Sequence, residues 1–297
     1  MRQSILVLGL VLSGVCCLKN IVERDKSKPG GVTYQVTLDV YSGREDPKWE
    51  IDHTSPFYSR IEKTYKSVPS TPLCNHLGYR GFLVKTTRTY GRKGSWTVGC
   101  NRNKELEDML LKSCPHSLRK AVIDAVTKAT HGKGKYKLPR RPQKRKKVDN
   151  QVCTTRFEPH VWNVMEVIED NNCYNYATNR RTDTMAGPGR GSGSEVFEED
   201  EIYAEPVLAG CVRDGLTRLN GPNPGDECLM VLVIWPGYDY HFYRLDDNGF
   251  WSHKPGETEA KDTDEDGERI GNIEEANHGL YTVFAGYLGC GRNVTIN

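Results

Sequence analysis

Three side chains in the second half of the sequence have the types that a thiol hydrolase uses: Cys173, His241 and His253. A helix N-terminus and a nearby imidazole both lower the pKa of a thiol, and the thiolate is the nucleophile. The polar residues around Cys173 predict that a helix begins there. In this hypothesis Cys173 is the nucleophile, His241 supplies the imidazole, and a third residue orients that imidazole.

The spacing of the two histidines predicts that they lie on one face of a sheet. Two strand-like segments flank residues 246–249, whose composition is a hairpin signal. A three-residue loop, with Gly249 left-handed in a bulge, pairs Tyr243 with His253. His241 and His253 are then diagonal neighbours, roughly 7–8 Å apart at the backbone. A two-residue loop would place them on opposite faces.

This order of residues resembles a known group of enzymes. A cysteine that opens a helix, followed by a histidine on a strand and a polar residue on the next strand, resembles the papain-like clan. The close pair of histidines resembles its NlpC-type cell-wall endopeptidases and amidases. The resemblance covers about residues 150–297 and implies a papain-like α+β domain with a central antiparallel sheet. By this resemblance Cys173 is the nucleophile, His241 the base and His253 the residue that orients it. The resemblance also implies an oxyanion hole at the Cys173 backbone N–H and a peptide or cell-wall-like amide as substrate. Asn172 and Tyr174 stand where those enzymes have aspartate and serine.

A longer pattern resembles a group of uncharacterised secreted bacterial proteins. Its parts are NNCYNYA at 171–177, DYHFYR at 239–244 and WSHKPG at 251–256. This resemblance implies a shared domain and no particular activity. In an animal, a secreted chain of this kind equally fits a non-catalytic component of an extracellular or calcified, shell-type matrix.

The first 17 residues have the order of a secretory signal peptide. A short basic start precedes an apolar run from Ser4 to Val15, which small residues and cysteines follow. That run is shorter than the about 20 residues that a membrane-spanning helix needs, and no later stretch is long and apolar enough. The protein is therefore expected to be secreted, without a membrane partner. Asn293-Val294-Thr295 is a glycosylation sequon.

Secretion decides how the cysteines are interpreted. The chain has ten, of which Cys16 and Cys17 fall in the expected signal peptide, so that eight remain. An oxidising compartment makes disulfides the default, and an even number favours a full set of bridges that would include Cys173. If Cys173 is a free thiol, one other cysteine is left over. A zinc site formed by Cys173, His241 and His253 is a further alternative, although the spacing matches no common zinc motif.

Residues 28–131 are predicted to form a small α+β interaction module. The alternation over Val32–Val40 predicts a half-buried strand, and 81–85 another. Asn103 is expected to cap a helix over 104–112, and an apolar stripe further on predicts a second helix. We identify no catalytic constellation in this part.

Four expectations concern the elements around the cysteine and the histidines. Residues 157–168 are predicted to be a strand or an irregular core segment, and 208–219 a helix. The continuous apolar run 228–235 predicts a buried central strand. Asp170 or Asn171 is expected to cap the helix that carries Cys173.

A basic segment separates the two predicted domains, 28–131 and 151–297. Residues 132–150 are dense in lysine and arginine, contain prolines and show no apolar period. This composition predicts a solvated linker, or one that binds polyanions such as an acidic polysaccharide. A matrix polysaccharide or protein is the expected partner of a non-catalytic protein, and nucleic acid is not expected outside the cell.

Asp262, Asp264 and Asp266 resemble the start of a calcium loop, because oxygen ligands at alternate positions suit that ion. The closing acid of the standard loop is displaced by one residue, to Glu274. The alternative is a solvated acidic loop. No cofactor other than calcium is expected.

Overall fold

The computed structural model describes residues 32–88, 94–115, 118–131, 155–194, 202–225 and 227–297. The predicted signal peptide and the basic linker lie outside these ranges. Within them, two antiparallel sheets and seven helices confirm the α+β class. None of the helices in these ranges has both the length and the apolar character needed to cross a membrane.

The first sheet lies in the N-terminal part of the chain, with strand order β2-β1-β3-β4. Its strands and the helices that follow them are β1 Val32–Asp39, β2 Lys48–Ile51, α1 Tyr58–Ser67, β3 Gly81–Arg88, β4 Gly94–Val98, α2 Lys104–Lys112 and α3 Lys120–His131. The Asn103 side chain accepts a hydrogen bond from the Leu106 N–H, which confirms the predicted cap of α2. A disulfide joins Cys74, before β3, to Cys100, after β4.

The second sheet has strand order β5-β9-β6-β7-β8. Its elements are α4 Pro159–Trp162, α5 Met165–Asp170, α6 Cys173–Thr178, α7 Ala204–Arg213, β5 Thr217–Leu219, β6 Cys228–Trp235, β7 Asp239–Leu245, β8 Trp251–His253 and β9 Val283–Cys290. The predicted buried strand is β6, in the middle of the sheet. The antiparallel sheet agrees with the prediction for this part, while a specifically papain-like topology stays a prediction.

The β7–β8 hairpin has the predicted register. Tyr243 pairs with His253, the Asp246 N–H donates to the Phe250 carbonyl, and Gly249 is left-handed with φ 74°. The three-residue loop is therefore confirmed. His241 and His253 point to the same face, as the argument from the loop requires.

Three local expectations were wrong. Residues 157–168 form the short helices α4 and α5, because Pro159 occupies the first turn of α4, where a missing N–H costs nothing. The segment 208–219 is not one helix, since α7 ends at Arg213 and the left-handed Gly215 (φ 96°) leads into β5. The cap of α6 is Asn172, where Asp170 or Asn171 was expected.

The two sheets share one hydrophobic core. Alternate residues of β6 divide between two clusters. The cluster shared with the first sheet contains Leu229, Val231 and Val233. The cluster on the other side, with residues of α6 and α7, contains Met230, Leu232 and Ile234. Burial on both faces is the reason for the continuous apolar run in β6.

The chain segment after β1 reaches into the second sheet. We call Tyr41–Arg44 the inserted segment. At Gly43 an added Cβ would lie 2.3 Å from the Tyr240 ring and 2.6 Å from the Tyr240 carbonyl oxygen. Glycine is therefore required there by close approach of the backbone.

Replacing Gly43 tests this packing. We expect Gly43→Ala to lower the free energy of unfolding by about 2–3 kcal/mol, because the methyl group overpacks the contact with Tyr240. Gly221→Ala is the matched control, since a Cβ there meets nothing within 4 Å, and it should change stability by less than about 0.5 kcal/mol. Urea unfolding followed by tryptophan fluorescence measures both. Equal effects of the two substitutions would contradict the close packing of the inserted segment.

Candidate functional site

The two predicted histidines are in direct contact. His241 lies on β7 and His253 on β8, and both are fully buried. The distance between His241 Nε2 and His253 Nδ1 is 2.8 Å. His253 Nε2 lies 2.9 Å from the carbonyl oxygen of Thr263. His253 therefore holds the ring of His241 in place.

The other nitrogen of His241 is occupied by a residue that sequence reasoning missed. Ser42 Oγ, in the inserted segment, lies 2.6 Å from His241 Nδ1. Ser42 is fully buried, and its Oγ also accepts a hydrogen bond of 3.1 Å from the Gly256 N–H. Because 199 residues separate Ser42 from His241, no local spacing in the sequence indicates the pair.

The contacts fix the direction of every hydrogen bond in this chain of groups. The Thr263 carbonyl can only accept, so His253 Nε2 donates and, in the neutral ring, Nδ1 accepts. His241 Nε2 then donates to His253, which leaves His241 Nδ1 as an acceptor. The Ser42 hydroxyl donates to that nitrogen. The result is a single proton arrangement, with both imidazoles neutral.

Burial keeps both imidazoles neutral. The pKa of His241 lies well below its usual range because of burial, and the neighbouring His253 lowers it further. The pKa of His253 is also well below the usual range, first through burial and then through the charge of Lys261, while its contact with the Thr263 carbonyl opposes this. A histidine in this state can act as a base only if its lone pair faces the group to be deprotonated.

Cys173 lies at the start of α6, and the lone pair of His241 Nδ1 is occupied by the Ser42 hydroxyl. Its Sγ lies 4.0 Å from the Tyr240 carbonyl oxygen, along the backbone of β7. In the described residues, Ser42 rather than Cys173 is at hydrogen-bond distance from His241 Nδ1. The structure therefore brings the three predicted residues into one region, and the hydroxyl of Ser42 is hydrogen-bonded to the imidazole that was predicted to be the base.

The Cys173 thiol is held in its protonated form. Burial raises its pKa to about 12, with a further increase from the nearby Asp239, and these outweigh the stabilisation from the Phe242 N–H and the Ser42 hydroxyl. The expected lowering of this pKa was wrong. The helix α6 has only six residues, and its effect is small beside the desolvation of a fully buried sulfur.

The inserted segment covers the site through polar contacts. The N–H groups of Ser42 and Gly43 donate to the carboxylate of Asp239 at 2.6 and 3.2 Å. Asn172 Nδ2 donates to the Gly43 carbonyl at 2.9 Å. With this segment in place, Ser42 and Cys173 have no solvent-exposed surface, so a substrate can reach neither of them.

Asp239 is the anchor for this segment and was also missed. The Tyr281 hydroxyl donates a short hydrogen bond to its carboxylate, in addition to the two backbone donors. Burial raises the pKa of Asp239 to about 6, and the Ser42 N–H and the Tyr281 hydroxyl limit the rise. The sequence signal for Asp239 was its position in the same strand as His241, at the first residue of β7.

A buried lysine supports the other side of the site. Lys254 Nζ donates to the carbonyl oxygens of Ile168, Asn171 and Gly256. Burial lowers the pKa of Lys254 to about 7. Because the carbonyl oxygens of Ile168 and Asn171 come just before α6, Lys254 fixes the backbone that leads to Cys173.

The cysteines do not form the full set of bridges that their even number favoured. Cys74 and Cys100 are bonded to each other, and Cys228 is also disulfide-bonded. Among the residues that the structure describes, three buried cysteines are free thiols: Cys173, Cys211 and Cys290. Parity failed as a guide because burial in a closed core protects thiols from oxidation irrespective of their number.

The predicted calcium residues hold the loop together. Asp264 Oδ1 accepts hydrogen bonds from the Asp266 and Glu268 N–H groups at 3.0 and 2.9 Å, and Oδ2 accepts one from the Asn277 N–H at 3.0 Å. Asp262 is paired with Arg269 at 2.6 Å. In the described ranges, no three histidine, cysteine or acidic side chains are grouped as a metal ion requires. Calcium binding by Asp262, Asp264 and Asp266 stays a prediction.

The state of Cys173 predicts its reactivity. With a pKa of about 12, about one thiol in 10⁴ is ionised at pH 8, and the site is covered. We therefore expect iodoacetamide to leave Cys173 unmodified in the native protein at pH 6 and pH 8, and to modify it in urea. Peptide mapping by mass spectrometry measures this, with the buried Cys211 as the internal control. Rapid modification of Cys173 alone at pH 6 would identify a reactive thiolate and contradict this description.

The histidine pair predicts a pH dependence of stability. Since the folded-state pKa values of His241 and His253 are depressed, the unfolded chain binds more protons below pH about 6.5, and stability is lost as the pH falls through that value. Each buried neutral histidine contributes a slope of about 1.4 kcal/mol per pH unit. Buried carboxyls such as Asp239, whose pKa is raised, act in the opposite direction, so the test is the difference between variants.

We expect His253→Gln to reduce the slope by about one such contribution between pH 6.5 and 5, measured by urea unfolding. The control is His160→Gln, because His160 is exposed on α4; its slope should equal that of the wild type. If His253→Gln also keeps the wild-type slope, His253 is not held neutral in the folded protein.

A comparison with curated proteins identifies a relative of the chain. No family model matches the chain, and no solved structure matches it. The chain is 51% identical over 147 residues to Insoluble matrix shell protein 1 of Ruditapes philippinarum, an alignment that covers 50% of this chain and 97% of that protein. Identity at this level over nearly the whole of a relative shows common descent. The chain therefore belongs to the same family as Insoluble matrix shell protein 1.

Proposed function

We propose that the protein is a secreted, non-catalytic component of the organic matrix of a calcified shell. The observation that carries this proposal is the 51% identity to a protein named as an insoluble component of shell matrix. The expected signal peptide supports secretion, and the Cys74–Cys100 disulfide fits an oxidising compartment. Matrix polysaccharides or proteins are the partners that this role implies, with the basic segment 132–150 as a candidate surface for polyanions.

The state of the Cys173 region supports a structural role. The lone pair of His241 Nδ1 accepts a hydrogen bond from the Ser42 hydroxyl, and the thiol of Cys173 is protonated and has no exposed surface. A nucleophile needs both an activated form and access to substrate. A polar group buried with all its partners instead fixes how the surrounding elements pack.

The location of the protein tests the proposal. We expect peptides from the described ranges in the acid-insoluble residue that remains when the shell of the source animal is demineralised. They should be depleted in the acid-soluble fraction and in soft tissue extracted in parallel, which serve as controls. Mass spectrometry of the three fractions measures this. If the peptides are found only in soft tissue, the proposal is wrong.

A latent thiol hydrolase is the second candidate. It is favoured by the free thiol of Cys173 and by the contact between His241 and His253. In this alternative the inserted segment is withdrawn before a peptide or cell-wall-like amide can reach the sulfur. The alkylation experiment separates the two candidates, because a hydrolase in its open form exposes Cys173 while Cys211, in the core next to it, stays unmodified.

A further inference from the structure

Charged side chains hold both ends of one peptide bond in the inserted segment, the bond between Tyr41 and Ser42. Its N–H belongs to Ser42 and donates to Asp239 Oδ2 at 2.6 Å. Its carbonyl oxygen belongs to Tyr41 and accepts a hydrogen bond from Arg80 Nη2. Arg80 and Asp239 are both fully buried. Most backbone hydrogen bonds in proteins join two backbone groups, so this amide stands in an unusual electrostatic environment.

The hydroxyl next to this bond faces a base. Ser42 Oγ lies 2.6 Å from His241 Nδ1, which accepts its hydrogen bond, and His253 holds the other nitrogen of that ring. The Gly256 N–H donates to the same oxygen at 3.1 Å, where it stabilises negative charge that develops on Oγ. The carbonyl carbon of Tyr41 is bonded to the nitrogen of Ser42 itself. The hydroxyl therefore has an electrophile beside it even though no substrate can enter the site.

The guanidinium of Arg80 is in place for the charge that a tetrahedral intermediate carries. Arg80 Nε donates to Asp39 Oδ1 at 2.7 Å, and Nη1 donates to the Gly78 carbonyl at 3.2 Å, so that the orientation of the group is fixed. Attack on the Tyr41 carbonyl carbon puts negative charge on the oxygen that Arg80 already contacts. Donors that are oriented in advance stabilise such a charge most strongly in a buried site.

We propose that Ser42 cleaves its own chain at the Tyr41–Ser42 peptide bond. Ser42 Oγ gives its proton to His241 Nδ1 and forms a bond to the Tyr41 carbonyl carbon. The C–N bond of the peptide then breaks, and the proton on His241 passes to the Ser42 nitrogen, which becomes an amine. The Tyr41 acyl group is now an ester of the Ser42 hydroxyl. One water molecule hydrolyses this ester, which gives a carboxyl group on Tyr41 and restores the hydroxyl of Ser42.

The charges around the bond also match the two products. The new carboxylate of Tyr41 lies beside the guanidinium of Arg80. The new amine of Ser42 has the pKa of an α-amino group, about 7.7–8.0, and is mostly protonated at neutral pH. It lies beside the carboxyl of Asp239, which is mostly ionised at neutral pH because burial raises its pKa only to about 6. Each charge that cleavage creates therefore meets a buried partner of opposite sign.

The two pieces remain associated after cleavage. Strand β1 ends at Asp39, before the cleaved bond, and it pairs with β2 and, over its whole length, with β3. Only denaturation then separates the pieces. Each chain reacts once and acts on no other molecule, so the cleavage is independent of the matrix role. The depressed pKa of His241 makes it a weak base, and the reaction is expected to be slow.

Mass spectrometry of the full-length protein tests the cleavage. The folded protein is incubated at neutral pH, with and without hydroxylamine, and samples are denatured in acid. We expect a chain that ends at Tyr41 and a chain that begins at Ser42, whose fraction grows at the same rate at every protein concentration. Hydroxylamine attacks esters much faster than amides, so it should raise the rate and leave a hydroxamate on Tyr41. If the bond stays intact under both conditions, the proposal is overturned.

Variants distinguish self-cleavage from attack by a contaminating protease. Ser42→Ala removes the nucleophile and should leave the bond intact, while Ser42→Cys keeps a nucleophile at the same place and should still be cleaved. His241→Gln should slow the cleavage by about 10²–10⁴-fold, the usual contribution of a general base. Ser95→Ala is the matched control, because Ser95 is exposed on β4, and its rate should equal that of the wild type. Cleavage of Ser42→Ala at the wild-type rate would show that Ser42 is not the nucleophile.

The wild type in urea is a control that needs no variant to fold. Unfolding separates Ser42 from His241 and Arg80, so we expect the unfolded chain to stay intact, whereas a contaminating protease cuts an unfolded chain faster. Cleavage at Tyr41–Ser42 that is as fast in urea as in the folded protein would contradict the proposal, since the folded geometry would then have no part in the reaction.

Discussion

The hydrogen bond from the Ser42 hydroxyl to His241 Nδ1 is the contact on which the rest of the molecule depends. It fixes the proton positions from Ser42 through both histidines to the Thr263 carbonyl. It also places a residue from the segment after β1 against strand β7 of the C-terminal sheet. Without this donor, His241 would carry a buried, unpaired nitrogen, which costs about 1–3 kcal/mol. The packing of the two sheets and the geometry of the site therefore depend on the same contact.

The same contact decides which chemistry the cysteine can take part in. A thiol is activated when a base faces it or when a field stabilises its anion. In this structure the base nitrogen accepts from Ser42, and the carboxylate of Asp239 raises the pKa of Cys173 further. The cysteine and the two histidines of a thiol hydrolase are present. Their hydrogen bonds, however, are those of a buried polar core in which every donor and acceptor of the histidines has a partner. Chemistry cannot therefore be inferred from the residue types alone.

The sequence predicted those features that are determined by residues close to each other along the chain. Gly249 set the loop of the hairpin, and Asn103 capped α2, because each acts on residues within a few positions. The strand β9 had no such signal: Gly286 and Gly289 weaken its pattern, and its register shifts where it passes Leu232 and Val233. Ser42 could not be found, since its partner is 199 residues away and the residues around it have the composition of an ordinary turn. The bonding state of each cysteine likewise depends on three-dimensional neighbours rather than on number.

The hydrogen bonds of the inserted segment bear on the choice between the two candidate functions. Six hydrogen bonds hold it to the second half of the chain: the N–H groups of Ser42 and Gly43 to Asp239, the Ser42 hydroxyl to His241, and contacts with Gly256, Asn172 and Tyr238. Each bond contributes about 1 kcal/mol net, and opening breaks all six together because they hold one short segment. A hydrolase of this design needs an agent that binds the open form more tightly than the closed one. A matrix component needs none, because the closed core is the form in which it would persist.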